Sequence, residues 1–158
     1  MAVTKKTPRR AEGVSEQIAA IAKSAESMDA AKPARIGSPS VGDVVRQGDL
    51  YLVCLETLPP GTKSQRQLAP GNSQGSRHVA EGECVVYSPR EPQAVAMIIG
   101  RAVNGADVPV ELVGPMVECV GETTITHPEH GHRILPAGTA WAVVYQRAFA
   151  EEVRRALD

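Results

Sequence analysis

The stretch Thr139-Ala140-Trp141-Ala142-Val143-Val144-Tyr145-Gln146-Arg147 decides the fold. Trp141, Val143, Tyr145 and Arg147 alternate with Ala142, Val144 and Gln146. This period of two describes a strand with one face in the core and the other closely packed or at an edge. Working outward, Leu50 to Glu56, Glu83 to Tyr87, Ala94 to Val103, Val108 to Val113 and Met116 to Val120 are similarly rich in Val, Ile, Leu and Tyr, and Gly, Pro or Asn-Gly bounds most of them. Short apolar runs with such punctuation read as strands, and Asn104-Gly105 reads as the best hairpin turn. The expected fold is all-β: a small barrel or two-sheet sandwich, with a jelly-roll-like arrangement among the options.

Composition agrees. The chain has 158 residues, 42% hydrophobic, with 14 Gly, 12 Pro and only five aromatic residues (one Trp, one Phe and three Tyr), so one domain must draw its core from aliphatic side chains joined by many turns. Residues 1–40 differ from the rest. They carry seven Lys/Arg against four Asp/Glu, and residues 41–158 carry ten against fourteen. A basic opening, an Ala/Ser/Glu stretch and the Lys32 to Ser40 linker read as a flexible arm attached to a β domain of residues 41–158. Within the arm Val14, Ile18, Ile21, Ala25 and Met28 are spaced for one stripe of a helix over residues 14–31. This polar, Pro-interrupted arm is expected to be removable with little effect on stability. Phe149, Val153 and Leu157 predict a short C-terminal helix lying against the β domain.

The globular part has no basic footprint for nucleic acid. No apolar run is long enough for a signal-peptide core or a membrane span. Cys54, Cys84 and Cys119 are odd in number and sit in apolar runs, where a thiol behaves as a small hydrophobe. They favour a reducing, cytoplasmic setting.

Thr57 to Arg77 breaks the strand pattern with three Pro, three Gly and many hydroxyls and amides. Structureless loops beyond about 12–15 residues are usually functional or disordered, and this one ends at His78. The other three histidines fall in Thr126-His127-Pro128-Glu129-His130-Gly131-His132. Neutral imidazole is the commonest metal ligand. The candidate site is therefore metal, with His78, His127 and His130 as ligands and His132 or Glu129 as fourth ligand or base. Zinc, iron, nickel or manganese would suit it, and no organic cofactor is indicated.

Other motifs fail on inspection. His130-x-His132 before Pro136-Ala137-Gly138 suggests a cupin, but no glutamate follows the pair at the required distance and Trp141 stands where the second motif needs histidine. Gly71-Asn72-Ser73-Gln74-Gly75 matches the nucleophile elbow of serine hydrolases literally, without the strand before it or the helix after it. Asp49 and Arg147 are weaker catalytic candidates, as general base and anion clamp.

Gln47-Gly48-Asp49, Gly75-Ser76-Arg77-His78, His127-Pro128-Glu129-His130, Pro136-Ala137-Gly138 and Gln146-Arg147 together resemble a pattern of short bacterial and phage proteins. In that pattern Ser76 is a histidine. The resemblance spans residues 47–157 and implies a role for the histidines, with no particular reaction. Two functions follow as expectations. One is a metal-binding β domain, with or without hydrolytic or oxidative activity; the other is a non-catalytic assembly or accessory module of a phage-derived or multi-protein system, whose arm binds a protein partner or a second copy.

Overall fold

The computed structural model describes residues 18–25, 32–70 and 77–146. Its elements are α1 (Ala19–Ser24), β1 (Ala34–Arg35), β2 (Val44–Gln47), β3 (Leu50–Leu55), β4 (Gly61–Lys63), β5 (Val79–Pro89), α2 (Pro92–Ala102), a 3-10 turn at Val110–Leu112, β6 (Val113–Thr126), β7 (Arg133–Leu135) and β8 (Thr139–Tyr145). The protein is mostly strand, as expected. All eight strands belong to one curled sheet in the order β1-β7-β6-β8-β3-β2, with β5 on β6 and β4 on β5. Every pairing is antiparallel except that of β1 with β7.

The central strands are buried on both faces. In β3, Leu50, Leu52 and Cys54 point into an inner core with Trp141, Val143 and Val117. Tyr51, Val53 and Leu55 point into an outer core with Ala142, Val144 and Met116. Alternation therefore holds in β8, and its second face, Ala142 and Val144, is covered by helix.

The cover is α2. Read by composition, Ala94 to Val103 is a strand, and the structure makes it a helix. Pro92 stands in its first turn, where its missing N–H is harmless. Val95, Ala96, Ile99 and Val103 then fall on one helical stripe and enter the outer core. Asn104-Gly105 closes this helix instead of a hairpin, the Gly105 N–H donating to Gly100 O at 2.8 Å. Val108 to Val113 is likewise a 3-10 turn leading into β6.

The boundary expected at Val41 is crossed twice. Ile18, Ile21 and Ala25 are buried in the outer core, and Ala34 and Arg35 pair with Arg133 and Ile134 as strand β1. The expected stripe is thus a packing surface at those three positions, while Val14 and Met28 lie outside the described residues, as does the C-terminal stripe of Phe149, Val153 and Leu157.

The long loop is only partly irregular. Residues 61–63 form β4 on β5, Gln67 bridges Val79, and Leu68 and Ala69 are buried. Tyr145 anchors this stretch by donating its hydroxyl to Leu68 O at 2.7 Å; burial pushes that phenol well up, so the donor is retained.

The curl is stapled where the backbone ladder stops. Gln47, at the end of edge strand β2, donates its amide to Ile125 O (2.9 Å) and Gly131 O (3.0 Å). Arg133, fully buried on β7, donates to Arg46 O (2.8 Å), Lys32 O (2.6 Å), Gly131 O (3.0 Å) and His132 O (3.3 Å). One guanidinium thereby satisfies carbonyls from β2, from the segment before β1 and from the turn before β7. Replacing Arg133 with Met keeps much of the volume and strips these donors, leaving buried acceptors uncompensated. We expect a loss of about 3 kcal/mol or more, read as a lower urea midpoint.

Candidate metal centre

Three loop ends meet at one end of the curled sheet. The β5–β6 ladder ends with Val79 opposite Thr126, so the next residues, His78 and His127, flank each other just beyond it. The β2–β3 hairpin turns through Gly48-Asp49, with Gln47 opposite Leu50. The turn between β6 and β7 carries His130. The ring centres of His78 and His127 are 4.5 Å apart, those of His127 and His130 are 4.5 Å apart, and those of His78 and His130 are 6.4 Å apart.

Gly48 is required here. Its φ is +60°, and a Cβ would lie 2.6 Å from His130 Nε2. Gly131 makes room on the other side, where a Cβ would lie 2.2 Å from Lys32 O. The two glycines let the turns close around the histidines.

The hydrogen bonds assign protons. Both amide hydrogens of Gln47 are committed to the Ile125 and Gly131 carbonyls, so its Oε1, 2.9 Å from His78 Nδ1, is an acceptor and Nδ1 donates. A neutral His78 then carries its lone pair on Nε2. That nitrogen is 3.3 Å from Asp49 Oδ1, itself acceptor-only when ionised. His78 is fully buried and the Asp49 side chain is about a quarter exposed. Two lone pairs facing each other call for positive charge: a proton on Nε2 or a cation shared with the carboxylate.

His127 has the opposite tautomer. Its Nδ1 accepts the Glu129 backbone N–H at 3.0 Å, so a neutral ring is protonated on Nε2. Coordination through Nδ1 would break that bond. His130 is half-buried at the rim. His132 is exposed, because Arg133 faces inward and alternation turns its neighbour outward. Glu129 contributes its backbone N–H, and its side chain is exposed.

The structure thus brings His78, His127, His130 and Asp49 together and leaves His132 and the Glu129 carboxylate outside. Among the described residues, no group of three or more His, Cys, Asp or Glu side chains is already arranged to hold a metal ion. Arg147 and Ser73 lie outside the described residues. Arg77 and His78 lead directly into β5, so no helix starts here to serve the serine as an elbow. Sequence reading missed the role of Gln47 and passed over Arg133, whose signal was a lone charge heading the apolar pair Ile134-Leu135.

Comparison with protein-family models, curated proteins and solved structures finds no match. Among the described residues no helix is long and apolar enough to cross a membrane.

Proposed function

We propose that the protein is a small barrel-like β domain that binds one divalent transition-metal ion between His78 Nε2 and Asp49 Oδ1. His130 turns in as a third ligand, and the remaining positions stay open to water or a small ligand. The single observation that carries this reading is the Gln47 clamp. Histidines that ligate metals almost always donate their other ring N–H to a carbonyl or carboxylate, which fixes the tautomer and aims the lone pair. Gln47 does this for His78, and the lone pair meets a carboxylate.

The spacing suits the role. Two donor atoms about 2.1 Å from one ion and separated by 3.3 Å subtend roughly 100° at the metal, between octahedral and tetrahedral geometry. His127 packs its ring beside that of His78, with ring centres 4.5 Å apart. Imidazole with carboxylate suits zinc, iron, nickel or manganese.

The test is stoichiometry. The full chain, without a histidine tag, is equilibrated with zinc, dialysed and analysed for zinc and protein. The expected result is one zinc per chain, displaced by chelator with the fold retained. Failure to retain zinc, with the protein folded, would mean that a proton alone fills the position between His78 and Asp49.

A further inference from the structure

Cys84 on β5 lies directly opposite Cys119 on β6 in the antiparallel register. Both are free thiols, and both point into the inner core. Opposed residues of an antiparallel pair alternate between hydrogen-bonded positions and closer, non-hydrogen-bonded ones, and the backbone shows which kind this is. Cys119 O accepts the Gly138 N–H at 2.7 Å, on the β8 side of β6. Val86 O accepts the Ser64 N–H at 2.8 Å, on the far side of β5, and Cys84, two residues away, faces the same way, its carbonyl 3.5 Å from Arg66 Nη2. The polar groups of both cysteines therefore point away from the shared ladder. A non-hydrogen-bonded pair has its Cα atoms about 4.5 Å apart, within the roughly 4.4–6.8 Å that a disulfide spans.

Two further features bear on reactivity. Arg66 Nη1 donates to Cys84 Sγ at 3.7 Å while also holding Gly82 O at 3.0 Å. A guanidinium at the sulfur stabilises the negative charge that develops on the departing peroxide oxygen. Cys84 is the more exposed of the two, at 8% against 1% for Cys119, so a small oxidant meets Cys84 first. Burial pushes the Cys119 thiol up, which leaves the first attack on peroxide to Cys84.

We propose that Cys84 and Cys119 are a redox modification site: a dithiol that peroxide converts reversibly into a cross-strand disulfide, independent of the histidine cluster. The Cys84 thiolate attacks one oxygen of hydrogen peroxide and the O–O bond breaks. Cys84 becomes a sulfenic acid, and the departing hydroxide takes up the proton lost by Cys84 to become water. Cys119 sulfur then attacks Cys84 Sγ, the S–S bond forms, the S–O bond breaks and the hydroxyl leaves as a second water with the Cys119 proton. Two thiols give up two electrons, and peroxide is reduced to two waters. Cys54 is excluded by register. It sits opposite Trp141 on β8, whereas Cys119 sits opposite Thr139.

The experiment uses the full chain treated with a small excess of hydrogen peroxide. Thiols are counted in denaturant before and after, and the cross-linked peptide is mapped. The expected result is a fall from three thiols to one, with Cys84 joined to Cys119 within one chain and full recovery in dithiothreitol. Cys54→Ser should still form the bond. Arg66→Ala should slow its formation about tenfold, and Arg66→Lys should restore much of the rate. Retention of all three thiols by the folded protein, a linkage through Cys54 or between chains only, or an oxidation rate indifferent to Arg66→Ala would overturn the proposal. Mapping on the unmodified chain decides the pairing even if a cysteine variant fails to fold.

Discussion

A chain that begins at Val41 is expected to unfold at a much lower urea concentration than the full chain, or to fail to fold. Composition sets residues 1–40 apart and by itself predicts a dispensable arm; burial reverses that expectation. Ile18 and Ile21 are fully buried in the outer core against α2 and the outer face of the sheet. A buried isoleucine side chain contributes about 2–3 kcal/mol, so the two together supply roughly 4–6 kcal/mol of a stability that is commonly about 5–15 kcal/mol. Truncation also removes β1 and the Lys32 carbonyl that Arg133 holds. Chemical denaturation of the two chains, followed by circular dichroism, makes the comparison. Equal midpoints would show that the helix does not contribute to the core.

The second large effect is at the proposed metal centre. His78→Ala and Asp49→Asn are each expected to weaken zinc binding by at least about 100-fold, or roughly 2.7 kcal/mol, because each removes one of two donors already facing each other. Gln47→Leu should cost about 10- to 100-fold through the freed tautomer of His78, together with some stability, since the Ile125 and Gly131 carbonyls lose their donor. His127→Ala should weaken binding less than His78→Ala. His132→Ala should leave it unchanged, as befits an exposed side chain. Isothermal titration with zinc reads all five, with far-UV circular dichroism to confirm the fold. A ranking led by His132, or indifference to Asp49→Asn, would remove the His78–Asp49 pair from the account.

Much of the fold was legible in the sequence where periodicity had a single physical meaning. Leu50 to Leu55 and Thr139 to Tyr145 are strands because β-branched and aromatic residues alternate between two environments, and both environments turned out to be cores. Ala94 to Val103 misled for the same reason: an apolar run without a polar face fits a strand or a buried helix equally. Pro92 and Asn104-Gly105 bracketed it with helix-compatible ends, and that was the available signal.

The site was legible in part. Clustered histidines and the remote His78 converge as expected because β5 and β6 pair in register up to their neighbours. Which histidine presents a lone pair depends on hydrogen bonds across 31 and 78 residues, between Gln47 and His78 and between Gln47 and Ile125. Local sequence carries no trace of such contacts. Arg133 escaped for a related reason, since its partners are backbone carbonyls, which every residue has.

The most direct test of the central claim is nitrogen NMR of the imidazole rings in the full chain, recorded before and after one equivalent of zinc. His78 is expected to keep its proton on Nδ1 throughout, held by Gln47, and its Nε2 resonance to move to a metal-bound value as zinc is added, while His127 retains its proton on Nε2. A His78 Nε2 resonance unaffected by zinc, or a His78 protonated only on Nε2, would contradict that claim.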